Sequence, residues 1–484
     1  MSINTQIKLL EKRRTKIIAT LGPASSDPEL IRQLIRAGVN IFRQNMSHGD
    51  HPTHKRTYAL IREAAQDLRQ PIGIMADLCG PKIRTGKFKE GSIDLNNNDS
   101  VIVTTRDVEG RPGLIPSQYE KLADDVGPGD RILLADGTLE LEVIKIDGTE
   151  ISCTVIYGGR LFNHKGINLP GVQISAPSLT EKDKADAKLV LDLGVDFLAL
   201  SFVRSASDIL ALRELIKANN SEASIIAKIE KPEALYAANA ILDAADGLMV
   251  ARGDLGVELN PEQVPVAQHQ LIDLARKKFK PVIVATQMLE SMIENARPTR
   301  AEVTDVAYAV TLGTDAIMLS GETAVGAFPV DSVKMMDRIS RQTESYLWAE
   351  HAYGATVSDS PMRTAVPIWD AVANSMAQLA QDLKVQAVVV ISQSGMSAAT
   401  MSSARPAAPV VAITSHLNVC RKMTMLWSVI PVHAEDAGKS NPNELARKVV
   451  LDEGLASTGE RVLLVRGFHS DNALNTPSVT VLTI

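Results

Sequence analysis

Cysteine is scarce in this chain of 484 residues, which contains only Cys79, Cys153 and Cys420. No two of them form a C-x-x-C pair, so the sequence excludes a disulfide scaffold and a cysteine-ligated zinc site. Long apolar runs are also missing, and none approaches the roughly 20 residues that a membrane-spanning helix needs. The charged segment 1–14 lacks the apolar core of a secretory signal. We therefore expect a cytoplasmic protein that does not act in a membrane.

The chain has no excess of positive charge. Its 51 Lys and Arg residues stand against 57 Asp and Glu residues, which gives a net charge of −6. A mildly acidic chain lacks the basic surface that grips a nucleic-acid backbone, so we expect no nucleic-acid partner. Hydrophobic residues make up 45% of the chain, enough to build real cores and too many for a disordered protein. At roughly 150 residues per domain, the length predicts about three domains.

Short apolar runs recur along the chain, and a helical pattern follows each of them. The runs are continuous rather than alternating, which is typical of strands buried on both faces. Eight such strands with intervening helices predict an α/β protein built on a (β/α)₈ barrel. The runs are 15–20, 39–43, 72–76, 196–201, 224–229, 246–250, 281–285 and 314–319.

The barrel pattern is interrupted after its third strand. Closely spaced turn signals and short alternating runs predict an all-β module, a β-barrel lid inserted between the third and fourth barrel strands. Beyond residue 346, strands separated by helices predict an open α/β domain. The predicted divisions are an N-terminal segment 1–14, a barrel at 15–79 and 178–346, the lid at 80–177 and a C-terminal α/β domain at 347–484.

Polar side chains follow the predicted barrel strands, at the ends where barrel enzymes place their chemistry. Lys228 and Glu230 are two residues apart on an extended chain and therefore point to the same side. Glu230 and Asp254 follow neighbouring strands, and two carboxylates suit Mg²⁺. With the cations Lys228, Arg43 and Arg84 beside them, the set predicts a phosphorylated acid and phosphoryl transfer. The alternatives are a structural Lys228–Glu230 ion pair and carboxylates that only cap helices.

Three histidines, His48, His51 and His54, lie at three-residue spacing. No carboxylate or cysteine in the sequence complements them, so a solvated loop or an early helix is favoured over a metal site. Cys79 lies near the predicted mouth of the barrel without a positioned base, which favours an inert thiol over a nucleophile.

Nine segments in order carry a resemblance to the pyruvate kinase family over essentially the whole chain. They are T-L-G-P-A-S (20–25), F-R-Q-N-M-S-H-G (42–49), G-P-K-I-R-T-G (80–86), H-K-G-I-N-L-P-G (164–171), A-K-I-E (227–230), V-A-R-G-D-L-G (250–256), A-T-Q-M-L-E-S-M (285–292), R-P-T-R-A-E (297–302) and M-L-S-G-E-T-A (318–324). The resemblance implies an enzyme that transfers the phosphoryl group of phosphoenolpyruvate to ADP, giving pyruvate and ATP.

The resemblance also implies roles for the residues at the strand ends. Arg43 is expected to bind the phosphate of phosphoenolpyruvate, and Lys228 to stabilise the phosphoryl group during transfer. Glu230 and Asp254 are expected to hold Mg²⁺, for which Mn²⁺ can substitute. Further substrate contacts are expected from Gly253, Asp254 and Thr286. Protonation of the enolate carbon is expected to involve Thr286, Ser320 and Glu322.

On the nucleotide side, the resemblance implies that the inserted module closes over ADP or ATP and a second Mg²⁺. Closure would exclude water, and with it hydrolysis of the transferring group. The nucleotide-side residues are Asn45, Met46, Ser47, His48, Arg84 and Lys165.

One departure from the family concerns K⁺, which many members hold beside the phosphoryl site with an Asn, a Ser, an Asp and a Thr. Asn45, Ser47 and Asp77 are present here, but the threonine position is Leu78. The nearby glutamate of the K⁺-dependent members is Lys82 in this chain. We expect the Lys82 ammonium to supply the charge of the metal, so that the enzyme needs no K⁺. The alternative is a Lys82 side chain that faces solvent.

A second departure lies in the C-terminal domain, where a loop enters a helix and offers backbone N–H groups and hydroxyls to an anion. In relatives this loop binds a sugar-phosphate activator, and the version for fructose 1,6-bisphosphate usually carries a basic residue. Gln393 and Met396 occupy the loop here, so we expect a sugar monophosphate or AMP as effector. The alternative is an ordinary helix N-terminus. The expected effector residues are Ser392, Ser394, Gly395, Ser397 and Thr400.

Two other functions compete with the phosphotransferase. One is a different Mg²⁺-dependent barrel enzyme acting on pyruvate or phosphoenolpyruvate, which would not need the lid, Arg84 or Lys165. The other is a non-catalytic, metabolite-binding paralogue, which is disfavoured because no expected catalytic position is missing. Effector-controlled members of the family are homotetramers, so the resemblance implies the same assembly here.

Overall fold

Eight parallel strands close into a barrel in the computed structural model, which describes residues 10–350, 367–468 and 475–484. Each strand pairs with its neighbours in chain order, and the eighth pairs with the first. The predicted barrel is therefore confirmed. In order, the barrel strands are Lys16–Thr20, Ile41–Asn45, Gly73–Asp77, Phe197–Leu200, Ser224–Ile229, Gly247–Ala251, Val282–Ala285 and Ala316–Leu319.

Burial on both faces explains why these strands read as continuous apolar runs. One face fills the barrel interior, where Met75, Phe197 and Ile226 pack together. The other face packs against the surrounding helices. Those helices are Pro28–Ala37, His51–Asp67, Glu181–Leu193, Ala206–Ala218, Pro232–Tyr236, Ala238–Ala244, Arg252–Glu258, Val264–Lys277, Arg300–Thr311, Gly321–Ala324 and Pro329–Ala349, with 3₁₀ turns at Pro261–Gln263 and Glu290–Ile293.

The inserted module has its own hydrophobic core, lies between the third and fourth barrel strands, and is all-β apart from the short helix Leu122–Asp125. Its hydrogen bonds form a six-stranded sheet and a two-stranded sheet. Alternating burial in the first half of the strand Leu139–Asp147 places Leu139, Leu141 and Val143 in that core. The remaining strands are Ser92–Leu95, Ser100–Thr104, Leu114–Pro116, Arg131–Leu134, Glu150–Tyr157, Gly159–Phe162 and Ile167–Asn168.

The C-terminal domain is an open five-stranded sheet with a hydrophobic core on each face, as an α/β domain requires. Across the sheet the strands are Val429–His433, Val410–Thr414, Ala387–Ile391, Arg461–Arg466 and Ser478–Thr483, and only the last pairing is antiparallel. The helices are Ile368–Asp382, Met396–Ser403, Leu417–Lys422 and Pro442–Asp452, with a 3₁₀ turn at Met423–Met425.

The C-terminal domain packs against the end of the barrel where the strands begin. Met425 enters the interior cluster of the barrel beside Phe197. Lys16, the first residue of the first strand, donates a hydrogen bond of 2.5 Å to the Val429 carbonyl. The opposite end, where the strands finish, is thereby left to the inserted module and the candidate site. In the described residues, no helix is long and apolar enough to cross a membrane.

Candidate active site

Three of the strand ends that the sequence singled out meet at one buried carboxylate, Asp77. It is the last residue of the third strand and is 1% exposed. Arg43, on the second strand, donates from Nε to Asp77 Oδ2 at 2.7 Å. Lys228, on the fifth strand, places Nζ 3.3 Å from Asp77 Oδ1. Asp77 therefore holds two cations side by side at the mouth of the barrel.

Lys228 lies at the centre of this arrangement. Its Nζ donates to Ser201 Oγ at 2.7 Å and lies 2.8 Å from Glu230 Oε1. Burial alone would lower the pKa of Lys228, but the charges of Asp77 and Glu230 outweigh burial and raise that pKa. The ammonium is thus kept charged in a site that excludes most water.

Glu230 and Asp254 have the chemistry of a divalent-cation site. Glu230 Oε2 accepts a hydrogen bond from the Phe202 N–H at 2.7 Å. Its Oε1 is buried at ion-pair distance from Lys228 but outside hydrogen-bond geometry with any described residue. Burial raises the pKa of Glu230, and the charge of Asp254 raises it further. Two carboxylates with a spare buried oxygen fit Mg²⁺, which completes its shell with water and phosphate.

No richer metal site competes with this pair. Among the described residues, no group of three or more His, Cys, Asp and Glu is placed to hold a metal ion. His51 and His54 belong to the first turn of a helix, which is the early helix that the sequence offered. His54 is buried, with Nε2 2.9 Å from the His48 carbonyl. His51 also has a carboxylate that sequence reasoning missed, Asp186, at 2.7 Å.

Thr286 follows the seventh strand and is held against the start of the helix Arg252–Glu258, which follows the sixth strand. Its Oγ1 accepts a hydrogen bond from the Gly253 N–H at 2.7 Å and donates to the Ala285 carbonyl at 2.5 Å. Thr286 has a φ of 69°, a conformation that β-branched residues rarely adopt. A Cβ on Gly253 would lie 3.4 Å from the Thr286 side chain, at the limit of ordinary van der Waals contact.

Ser320 and Glu322 follow the eighth strand and are joined to each other. Glu322 is fully buried and accepts hydrogen bonds from the backbone N–H groups of Ser320, at 2.7 Å, and Leu289, at 3.0 Å. Burial raises the pKa of Glu322. Its carboxylate therefore ties the loop after the seventh strand to the end of the eighth.

The segment Asn45–His48 forms the turn after the second strand. Asn45 Oδ1 accepts a hydrogen bond from the Ser47 N–H at 3.1 Å, and buried Met46 bonds through its N–H to the Asp77 carbonyl at 2.9 Å. Partial burial lowers the pKa of His48, and the charges of three nearby cations lower it further. Those cations are Arg84, Arg43 and Lys82.

Arg84 and Lys165 lie on adjacent segments of the inserted module, as the bridge between Arg84 and Gly166 shows. Arg84 donates to the His164 carbonyl at 3.2 Å, and Lys165 is exposed. Arg84 follows the first connection between the barrel and the module, and Lys165 precedes the second. Together with Arg43 and Lys82, Arg84 gives the surroundings of His48 a positive field.

Lys82 reaches the candidate metal site. Its Nζ lies 3.8 Å from Asp254 Oδ1, and its side chain is 31% exposed. Leu78, at the position where many relatives have threonine, is buried, and its carbonyl accepts a hydrogen bond from Ser201 at 2.7 Å.

The C-terminal loop opens onto a cavity of about 520 Å³ between its own domain and the start of the barrel strands. Ser394, Gly395 and Thr400 line this cavity. Ser392 is buried, and its Oγ accepts a hydrogen bond from the Gly395 N–H at 3.0 Å. Ser397 is not part of the lining. Other walls are formed by Trp369, Phe279, Met396, Met423 and Lys422.

Sequence reasoning placed Arg252 at a strand end but gave it no role. Arg252 precedes Gly253, and its buried guanidinium bonds to the loop that carries Thr286 and to Asp305. The sequence places Arg252 after the sixth strand but contains no local signal for these partners, which lie 34 and 53 residues away along the chain.

Comparison with known proteins agrees with this geometry. Residues 12–333 match the family model "Pyruvate kinase, barrel domain", and residues 370–482 match "Pyruvate kinase, alpha/beta domain". The chain is 44% identical to pyruvate kinase 2 of a Synechocystis species over 460 residues, which cover 94% of this chain and 76% of that one. It is also 44% identical to the Geobacillus stearothermophilus pyruvate kinase over 463 residues, covering 94% and 78%.

A solved structure shows the same architecture. The crystal structure of a pyruvate kinase from Cryptosporidium parvum superposes with a TM-score of 0.88 at 35% identity, covering 98% of each chain. The likeness spans the barrel, the inserted module and the C-terminal domain rather than one part. Both the paired cations at the mouth of the barrel and these relationships lead to one conclusion: the chain belongs to the pyruvate kinase family of phosphotransferases.

Proposed function

We propose that this enzyme transfers the phosphoryl group of phosphoenolpyruvate to ADP, giving pyruvate and ATP. The observation that carries the proposal is the pairing of Arg43 and Lys228 on Asp77, next to the carboxylates of Glu230 and Asp254. Two fixed cations beside a divalent-cation site stabilise a phosphoryl group whose charge is spread over its oxygens.

Each residue of the mouth has a distinct part in this transfer. Arg43 binds the phosphate, and Lys228 neutralises charge on the phosphoryl group as it moves. Glu230 and Asp254 hold Mg²⁺ or Mn²⁺, which when bound supplies positive charge to the oxygens of the substrate. Because Asp77 fixes both cations beforehand, little reorganisation is needed during the reaction.

The enolate left by phosphoryl loss needs a proton on carbon. Gly253 and Asp254 contact the substrate in this proposal, and Thr286 delivers or relays the proton with its hydroxyl. Support comes from the Gly253 N–H, which fixes the Thr286 oxygen at 2.7 Å. Ser320 completes the relay, and Glu322 supports it. Because both Glu322 oxygens accept backbone N–H groups, its part is to hold Ser320 in place rather than to exchange protons directly.

The nucleotide binds on the opposite side of the phosphoryl group. Closure of the inserted module over the barrel brings the cations of that module toward the ADP phosphates and excludes water. A positive field that lowers the pKa of His48 supports this assignment, since a phosphate would relieve the repulsion. The proposed nucleotide residues are Asn45, Met46, Ser47, His48, Arg84 and Lys165.

Catalysis in this proposal does not require K⁺. The distance of 3.8 Å from Lys82 to Asp254 supports a lysine that acts inside the site. A buried apolar Leu78 supports the same view, because it offers no hydroxyl to a monovalent cation.

Activity is regulated, in this proposal, by a sugar monophosphate or AMP at the loop Ser392–Thr400, with Ser392, Ser394, Gly395, Ser397 and Thr400 as its anion site. The cavity beside the loop, at the junction of two domains, supports an effector that influences the barrel. Effector control favours the homotetramer that the family resemblance implies. The substrates are water-soluble metabolites, which favours the cytoplasm.

Pyruvate formation from phosphoenolpyruvate and ADP with Mg²⁺, coupled to NADH oxidation in K⁺-free buffer, tests the main proposal. We expect ADP-dependent turnover without K⁺. Turnover that appears only with K⁺ would keep the reaction and overturn the role of Lys82. Pyruvate and inorganic phosphate formed without ADP would mean that water accepts the phosphoryl group, and would favour the different Mg²⁺-dependent barrel enzyme. Absence of pyruvate formation with K⁺, AMP and sugar monophosphates all present would favour a non-catalytic paralogue.

A titration tests the regulatory proposal separately. AMP and ribose 5-phosphate are added at subsaturating phosphoenolpyruvate, to the parent enzyme and to the variant S394A/T400V. We expect at least one of the two ligands to lower KM for phosphoenolpyruvate in the parent and not in the variant. Unchanged KM with both ligands in the parent enzyme would contradict the assignment.

A further inference from the structure

The loop after the seventh barrel strand has an unusual backbone. Thr286 and Gln287 are consecutive residues with φ values of 69° and 53°. Left-handed conformations cost free energy in residues other than glycine, and most in a β-branched residue such as threonine. Such a conformation persists only when its surroundings hold it in place.

Arg252 supplies that support. Its side chain is 11% exposed, and its guanidinium donates from NH2 to the Thr286 carbonyl at 2.7 Å and from Nε to the Ala285 carbonyl at 3.3 Å. On the other side, NH1 lies 2.6 Å from the Asp305 carboxylate. The guanidinium therefore spans from the helix Arg300–Thr311 to the strained loop.

The residue after Arg252 fixes the hydroxyl of the same threonine. The Gly253 N–H donates to Thr286 Oγ1 at 2.7 Å. Thr286 is thus held at its carbonyl by the side chain of Arg252 and at its hydroxyl by the adjoining peptide. Both attachments come from the consecutive residues Arg252 and Gly253. A shift of the loop away from these two residues would therefore move the Thr286 hydroxyl relative to the other residues at the mouth of the barrel.

We propose that Arg252, anchored by Asp305, is a positioning residue that sets the place of the Thr286 hydroxyl in the reaction. This inference rests on the proposed role of Thr286 at the substrate. Arg252 exchanges no proton and touches no substrate in this account. A lysine in its place would keep the charge but lose the planar fork that reaches two carbonyls and a carboxylate at once.

Three variants and a control test the inference. R252Q removes the fork, R252K keeps the charge, and D305N weakens the anchor without touching the loop. The control is R213Q, because Arg213 makes the same kind of contacts at the start of the sixth strand, to Asp246 at 2.8 Å and to the Ala244 carbonyl at 2.9 Å. Thermal midpoints of all four show whether they fold.

We expect R252Q to lower kcat about 100-fold, since displacement of a reacting group by about 1 Å has an effect of this size. R252K and D305N should fall between R252Q and the parent enzyme. The dissociation constant of Mn²⁺, measured by electron paramagnetic resonance, should stay within about threefold, because Arg252 does not hold the metal in this account. R213Q should keep the parent kcat. If R252Q folds and loses no more kcat than R213Q, the inference is wrong.

A double variant separates positioning from an independent effect. If Arg252 acts through Thr286, then R252Q/T286A should have the kcat of T286A alone. Exchange of the pyruvate methyl protons with D₂O should fall in parallel, because it needs the same hydroxyl. Losses of the two single variants that multiply in the double variant would overturn the inference while leaving Thr286 its role. A T286A enzyme with the parent kcat and exchange rate would overturn both.

Discussion

Lys82 places its ammonium 3.8 Å from a carboxylate oxygen of Asp254, which is one of the two candidate metal ligands. The ammonium is thus part of the electrostatics of the mouth, where it is 31% exposed and held on a short segment after the third strand. A positive charge at this place is what the proposed substitution for a monovalent cation requires.

Removing this charge is therefore expected to create a requirement for K⁺. The parent enzyme should have the same kcat in K⁺ and in tetramethylammonium. K82E should lose at least about tenfold in kcat in tetramethylammonium, because another negative charge beside Asp254 opposes an anionic substrate. Added K⁺ should restore part of that loss, and adding L78T should restore more.

The control is K165Q, which removes a lysine assigned to the nucleotide. It should raise KM for ADP equally in both salts. A K82E enzyme whose activity is the same in K⁺ and tetramethylammonium would contradict the substitution of the cation by Lys82.

Asp77 and Glu230 are both buried carboxylates in contact with Lys228, yet we expect them to act differently. Each keeps one buried oxygen outside hydrogen-bond geometry, but the other oxygen of Asp77 is bonded to Arg43 at 2.7 Å, whereas the charge of Asp254 acts on the pKa of Glu230. E230Q should therefore weaken Mn²⁺ binding by about tenfold or more, because loss of even a residue that supports a metal ligand lowers metal affinity by this factor. D77N should leave Mn²⁺ binding unchanged and raise KM for phosphoenolpyruvate, because Arg43 and Lys228 lose their support.

Electron paramagnetic resonance of free Mn²⁺ measures the first quantity, and initial rates measure the second. The two variants serve as controls for each other, because each removes one charge that contacts the same lysine. Equal loss of Mn²⁺ affinity in both variants would contradict the assignment of Glu230, rather than Asp77, as a metal ligand.

The barrel could be predicted because burial on both faces leaves continuous apolar runs, and the fifth strand lies at the expected residues 224–229. The second strand begins at Ile41 rather than 39. The Val39 N–H instead bonds to the Leu34 carbonyl and closes the preceding helix, whose last turn ends on Gly38 with a φ of 114°. Val39 is buried in this cap, so its apolar character did not indicate a strand.

The strand ends of the candidate site could be predicted, but their contacts could not. Asp77 holds Arg43 and Lys228 because the closed barrel brings the ends of three strands to one mouth, and no local pattern contains that information. The same holds for Arg252, whose partners come from distant segments. Glu322 has the sequence position of a catalytic carboxylate, yet both its oxygens accept backbone N–H groups. Only the three-dimensional structure distinguishes a catalytic carboxylate from one that is bonded to backbone N–H groups.

Glu322 gives a prediction about stability. An amide in its place presents one oxygen and one N–H₂ group to two backbone donors, so one buried N–H loses its acceptor. E322Q should therefore lower the free energy of unfolding by about 1–3 kcal/mol, measured by denaturant titration or as a lower thermal midpoint.

E302Q is the matched control, because Glu302 also accepts two backbone N–H groups, from Ser291 and Thr299, both at 2.7 Å. Glu302 is only half-buried, so water can replace a lost partner and the effect should be smaller. An E322Q enzyme that is as stable as E302Q would contradict the assigned function of the buried carboxylate.

Lys16 gives a prediction about pH. Burial, with the nearby charges of Arg13 and Arg14, lowers the pKa of Lys16 to about 7 from its ordinary value of 10.5. Glu344 and Asp315 partly oppose the shift. Between pH 7 and 10.5 the unfolded chain holds more protons on this side chain than the folded chain does. The contribution of Lys16 therefore makes the protein more stable as the pH rises through this window, by on the order of 1.4 kcal/mol per pH unit at most.

K16M isolates this contribution, because methionine has a similar length and no proton to lose. Thermal midpoints of K16M and the parent enzyme are compared from pH 6 to pH 10. K16M loses the hydrogen bond to the Val429 carbonyl at every pH, so only the change of the difference with pH is informative. Relative to the parent, K16M should become steadily less stable above pH 7. The surface variant K89M should follow the parent throughout, and a K16M curve parallel to it would show that Lys16 does not titrate at this junction.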